Sequence, residues 1–357
     1  MHCVLHGISA LEYWRSSLAT PAPEDNAPAQ PVHLGKVFGA RAMDSIGGIE
    51  EELALTDGEA GKLHLLVSSR NDARETEHLA CHVWNERGTL PPGSIVEAGD
   101  GVDVVSPELC LVQLAPFVTR LQLFRAVTDL CARYCLRYDD RMTLVQRDPV
   151  TSLEKIASLL KQIPGTMGTK PVRSALNWCL EGSRSPRETT MNLFLHLPSR
   201  LGGKQLPRFH PNMRIDLEGG AALLTKRSYL EGDAVWLDDQ ARPRCVVEYN
   251  SDEWHDTEEA MEFDFEKITA LESMGITVIP ISTRQFNSYD VLDEAVKTIR
   301  EALGPGRSPR RGKGPRSGTV DMRCASTHAE LLAEERRQRG LPSLATTARW
   351  RFVLSRM

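Results

Sequence analysis

The chain has 357 residues, enough for two or three domains that each bury a core. With 41% hydrophobic and 25% charged residues it has the composition of an ordinary soluble globular protein. Its net charge of −5 excludes a uniformly basic, histone-like binder but leaves room for a local basic surface. No apolar run reaches the roughly 18 residues of a membrane span. His2, His6, Glu12 and Arg15 interrupt any signal-peptide core, so a cytoplasmic protein is expected. The eight cysteines contain no C-x-x-C pair, and reduced thiols are expected. Cys131 and Cys135, four apart on a predicted helix, lack the second ligand pair that a zinc site needs.

In chain order, residues 1–18 predict a short helix on Ile8, Leu11, Tyr13 and Trp14, with Ser9 as N-cap and Glu12 three residues on. Residues 19–31 are rich in proline and alanine and read as a linker. Residues 32–182 predict a mixed α/β and then helical region. Strands are expected at 63–67 and 102–105, and residues 75–86 have no clear period. Ser106-Pro107-Glu108 opens a helix carrying Leu109, Val112, Leu114 and Phe117, which Pro116 should break before a second helix over 121–134. Two more helices, 148–163 and 170–180, are separated by Pro164-Gly165.

Residues 183–304 read as one domain of order α-β-β-β-α-β-α. Ser185-Pro186-Arg187-Glu188 starts its first helix. Strands follow at 213–217, 229–237 and 245–250, then a helix at 258–274, a strand at 276–281 and a helix at 289–303. The expected fold class is therefore α/β (α+β): a mixed β-sheet flanked by helices, preceded by a largely helical N-terminal region. Residues 305–357 begin with a basic, proline- and glycine-rich stretch carrying Arg307, Arg310, Arg311, Lys313 and Arg316. It cannot bury anything and reads as disordered. It suits either salt-sensitive attraction to a phosphate backbone or a solubilising spacer. A short helix over 327–339 should follow.

Two acids stand out because they interrupt apolar strands: Asp233 in the first strand of a hairpin and Glu248 in the second. An ionised carboxylate among Val, Trp and Cys needs a partner or a metal. Glu248 and Asn250, two apart, share one face of their strand, and Asp233 on the neighbouring strand can sit opposite them. Carboxylate and carbonyl oxygens are what Mg²⁺ (or Mn²⁺) prefers. Duller readings stay open for each residue. Glu188 completes a capping box, Asp233 can satisfy backbone donors, and Glu248 can pair with Lys226, Arg227 or Lys267. His255 can be merely exposed, and Asp264 can pair with Lys267 on one helix.

The succession D-A-V-W, V-V-E-Y-N, W-H, D-x-x-K and a following apolar strand resembles the PD-(D/E)XK nuclease superfamily, most nearly its very-short-patch-repair endonuclease-like branch. The resemblance covers residues 183–304, about a third of the chain. It implies a restriction-endonuclease-like fold and a Mg²⁺-dependent DNA phosphodiesterase. Asp233 would be the central aspartate, Glu248 the acid of the E-x-K element and Glu188 the helical glutamate. His255 would be the histidine after the acidic strand, and Asp264 with Lys267 the helical D-x-x-R, with Lys for Arg. On that reading Asp233 and Glu248 hold the metal with help from Glu188, Asn250 and His255 order water, and Lys267 faces phosphate. Asn250 departs from the pattern, since it stands where Lys or Asp is usual and carries no charge. Upstream, H-G-I-S-A-L and S-P-E-L-C-L-x-Q-L-A are similar to abortive-infection type IV antitoxin-like regulators. That similarity implies an alternative: a DNA-binding regulator with an inactive nuclease-like domain, with a cognate toxin or another protein as partner.

Overall fold

The structure is a computed structural model that describes residues 3–19, 62–73, 75–76, 79–84, 90–99, 102–137, 143–250, 258–304 and 317–338. The chain forms two compact units, residues 1–177 with 336–357, and residues 178–335. Both are mixed α/β. No helix among the described residues is long and apolar enough to cross a membrane. The expected linker at 20–31 and the basic stretch at 305–316 lie outside the described residues.

The first unit contains a five-stranded sheet of order β3-β2-β1-β5-β4, from β1 (Cys3–Leu5), β2 (Leu63–Val67), β3 (Leu79–Val83), β4 (Ile95–Gly99) and β5 (Val102–Val105). Strand β1 sits at its centre, antiparallel to β2 and parallel to β5. The sequence pattern predicts only a helix there. Three residues carry too little periodicity to mark a strand, and β1 exists because ladders on both sides claim it. The helix behind it, α1 (Gly7–Arg15), starts before Ser9 and has His6 as N-cap with no side-chain cap bond. The Ser9 hydroxyl instead accepts the His64 N–H at 3.0 Å. Trp14 anchors α1 by donating from Nε1 to the Val105 carbonyl at 2.8 Å.

Helices α2 (Pro107–Leu114) and α3 (Arg120–Leu130) are separated around Pro116, as the ring's clash with a continuing helix requires. Ser106 caps α2, and Thr119 with Gln122 forms a capping box on α3. Helix α3 stops sooner than predicted. Cys131 is its C-cap, while Cys135 lies in a hairpin of β6 (Tyr134–Arg137) and β7 (Thr143–Gln146), so the two cysteines do not share a helix. The region is thus richer in strands than its sequence suggested. Helices α4 (Leu153–Gln162, capped by Ser152) and α5 (Thr169–Ala175) are both shorter than expected.

The second unit is built on α6 (Pro186–His196), β8 (His210–Asp216), α7 (Gly220–Thr225), β9 (Tyr229–Leu237), β10 (Pro243–Asn250), α8 (Glu258–Ser273), β11 (Thr277–Ser282), α9 (Thr283–Asn287) and α10 (Tyr289–Leu303). The four strands run in the order β11-β10-β9-β8. β8, β9 and β10 are antiparallel, and β11 joins β10 in parallel after the α8 crossover. Asp238 sets the β9–β10 turn: its Oδ1 accepts the N–H groups of Gln240 and Arg242. On one face Val235 and Val246 pack with Ala270 and Leu271 of α8 and Ala221 of α7. Beyond the predicted end of the domain, α11 (Ser317–Gln338) begins ten residues earlier than the reading of 327–339 had it. It packs on this unit: His328 Nε2 meets the Phe286 carbonyl at 2.8 Å, and Glu335 pairs with Arg187 at 3.1 Å.

Candidate active site

Strand register brings the acids together. Val246 pairs with Val235 and Val247 with Ala234, so the next position sets Glu248 opposite Asp233. Side chains alternate along a strand, which puts both on the face that carries Val235 and Val246. The ladder gives way there: the backbone N–H of Tyr249 donates to Asp233 Oδ2 at 2.7 Å. On the other side of β9, Asn212 occupies the position opposite Asp233, between the pairs Pro211–Ala234 and Met213–Gly232. Its φ of +48° is one that asparagine tolerates better than most residues.

Helices supply the rest. Asp264 and Lys267 lie on α8 two turns and one turn before Leu271, on the side that faces the sheet. Lys267 Nζ donates to Glu248 Oε2 at 2.5 Å. The Asn250 amide points to Asp264 Oδ2 at 3.5 Å, the long limit of a hydrogen bond. Glu188 stands in the first turn of α6, where Ser185 Oγ accepts its N–H and donates to its Oε1, both at 3.1 Å. Its Oε2 accepts the Arg184 N–H at 2.8 Å and the Asn212 amide at 2.5 Å. Arg184 reaches onward to Glu231.

Several of the duller expectations therefore operate. Glu188 is a capping residue with both oxygens engaged, Asp233 satisfies a backbone donor, and Glu248 has a lysine partner. What they leave behind is Glu248 Oε1, which is buried with no hydrogen-bond partner. Gly232 borders it: a Cβ there would lie 3.5 Å from that oxygen and 2.7 Å from the methyls of Val235 and Val246.

The electrostatics are those of crowded acids. Burial, and then the Asp233 carboxylate, pushes Glu188 up to about 7. The same two causes push Glu248 up to about 8, although Lys267 opposes them. Asp233 is raised too, by burial, against the lowering effects of Lys267, the Tyr249 N–H and Arg184. Burying three acids this close together carries a local cost that a nearby positive charge relieves.

Whether the residues suit a metal ion turns on that orphan oxygen. Among the described residues no group of three or more His, Cys, Asp or Glu side chains is arranged to hold one. Asp233 and Glu248 make a pair, and a pair of carboxylates completed by water is a common way to bind Mg²⁺. The donor set fits on that basis, with Glu188 holding the architecture. His255 and the basic residues Arg307, Arg310, Arg311, Lys313 and Arg316 lie outside the described residues. Asn212 and Arg184 escaped the sequence reading. An asparagine after proline in a strand is a weak signal of a special backbone position, and Arg184 gives none. No family model, curated protein or solved structure matches this chain.

Proposed function

We propose that the second unit is a Mg²⁺-dependent (or Mn²⁺-dependent) phosphodiesterase of the PD-(D/E)XK type, acting on DNA, with a restriction-endonuclease-like core. One observation carries the reading: Asp233 and Glu248 oppose each other on one sheet face, with Glu248 Oε1 buried and unpartnered. Asp233 and Glu248 would hold the ion, which when bound polarises a phosphodiester and acidifies a water. Glu188, through Ser185, Arg184 and Asn212, fixes α6 against β8 and keeps a further acid close by. Lys267 keeps a positive charge at Glu248 and is placed to neutralise a phosphate. Asn250 presents an amide that Asp264 orients.

The test is incubation of the full chain with plasmid and oligonucleotide DNA, with and without Mg²⁺ or Mn²⁺. Metal-dependent cleavage lost in Asp233→Asn is expected. Equal behaviour of wild type and Asp233→Asn, in cleavage and in metal binding, sinks the proposal. A second reading has its own support: Lys267 already neutralises Glu248, and Asn250 supplies no charge. On it the domain is an inactive scaffold in a DNA-binding, antitoxin-like regulator. Sequence-selective, metal-independent DNA binding without cleavage is then expected.

A further inference from the structure

In the second unit β8 is an edge strand, and among the described residues β9 is its only strand neighbour. The ladder with β9 decides which backbone groups of β8 are spent. Just past the strand, Leu217 donates its N–H to the Ser228 carbonyl at 2.9 Å, in the same register as the pairs Ile215–Leu230 and Met213–Gly232. Hydrogen-bonded pairs alternate along an antiparallel ladder, so Met213, Ile215 and Leu217 turn their N–H and C=O groups to β9. Those of Arg214 and Asp216 point outward. Upstream, Pro211 has no N–H, and the Asn212 amide is taken by the Gly182 carbonyl and Glu188. The open edge is therefore short.

Side chains alternate as well. Met213, Ile215 and Leu217 pack into the core that α7 and α8 cover, while Arg214 and Asp216 project on the other face, 59% and 72% exposed. Arg214 Nε donates to Asp216 Oδ1 at 2.7 Å, and its guanidinium lies 4.0 Å over the Tyr229 ring.

Charges on an open edge commonly guard it, since like signs repel a second copy. Here the two signs alternate, and the strand is complementary to itself. Antiparallel pairing of β8 with the same strand of a second copy, about a two-fold axis at Ile215, sets Arg214 of each copy opposite Asp216 of the other. Each such pair also exchanges both of its outward N–H···O bonds. The adjacent registers that match outward groups oppose Arg214 to Arg214 or Asp216 to Asp216, which like charges disfavour. Charge thus selects one register.

We propose that the second unit associates with a second copy of this chain through β8, edge to edge, joining two four-stranded sheets into one continuous sheet. The proposal does not depend on what the acids do. A strand-to-strand contact is small and its ion pairs are exposed, so the association is weak and falls with salt.

Sedimentation velocity of the full chain at low salt, from about 1 µM to about 500 µM, tests it. Wild type is expected to pass from monomer towards dimer across that range, and to do so less in about 0.5 M salt. Arg214→Asp and Asp216→Arg each set like charges opposite one another and should weaken the dimer by about tenfold or more. An equal mixture of the two variants restores both opposite-sign pairs between chains, but not the Arg214–Asp216 contact within a chain. The mixture should therefore dimerise at least as well as wild type. Should either variant fold poorly by circular dichroism, Arg214→Glu or Asp216→Lys takes its place. A wild type that stays monomeric throughout overturns the proposal and leaves the edge to a strand of another protein. Single variants that dimerise as wild type does overturn it too, and so does a mixture no better than its components.

Discussion

The acid cluster of the second unit and the imidazole cluster of the first, where the His6 and His64 rings stack on His82, are made the same way and behave oppositely. In each, adjacent strands in fixed register stack ionisable side chains on one face and burial removes their water. Burial disfavours charge, so it raises the carboxyls and lowers the imidazoles. Glu188 and Glu248 are then held near the pH at which they ionise, crowded against Asp233. The imidazoles are held neutral, with lone pairs available. One physical cause thus shifts the two clusters in opposite directions in one chain.

The comparison breaks most readily at Asp233 and Glu248. Asp233→Asn and Glu248→Gln are each expected to reduce Mg²⁺-dependent cleavage by at least about 100-fold and to leave the melting of the first unit unchanged. Gel assays and calorimetry read the two effects separately. Next comes Lys267→Met, which strips the buried partner from Glu248. It should cost the second unit about 3 kcal/mol at pH 8 in denaturant unfolding, and less below pH 7, where Glu248 takes up a proton.

The pH dependence sharpens the contrast, because the two signs differ. For Glu188 and Glu248 the folded state holds the proton more tightly than the unfolded state does. Their contribution is therefore fully present below about 4.5 and is lost as pH rises through about 7 and about 8. For His64 the folded state holds the proton less tightly. Its contribution is present above about 6.5 and is lost as pH falls towards about 4. In chelator, the change in melting between pH 8 and 5 should thus be flatter in Glu248→Gln for the second unit and in His64→Asn for the first, with Glu12 of the first unit and His196 and His328 of the second acting against the two trends. Scanning calorimetry across that range checks it, and parallel shifts would refute it. The smallest effect belongs to Ser185→Ala. It should cost about 1 kcal/mol as a lost helix cap and should leave cleavage within a few-fold, since it touches Glu188 only as a capping residue.

Much of this was legible residue by residue. Asp233 and Glu248 announced themselves as acids in apolar strands, the turn at Asp238 named its own hairpin, and Ser185-Pro186 marked the start of α6. Each signal lies within a few residues of the feature it sets, through side-chain alternation, turn chemistry or capping. The central strand β1 stayed hidden because three residues have no period of their own. The early end of α3 was likewise decided by the hairpin that takes Tyr134. At the site, sequence offered Lys226, Arg227 and Lys267 equally as partners for Glu248, and only the packing of α8 on the sheet chose Lys267.

By itself, then, the sequence determined which segments become helices and strands where the local pattern is strong, and which acids would be costly to bury. Tertiary structure alone decided which of them meet. Asn212 facing Asp233, Lys267 at Glu248, and three histidines from three separate stretches gathered on one sheet face all depend on register between strands. Register is fixed by the whole sheet burying one face, a collective condition that no short window of sequence contains.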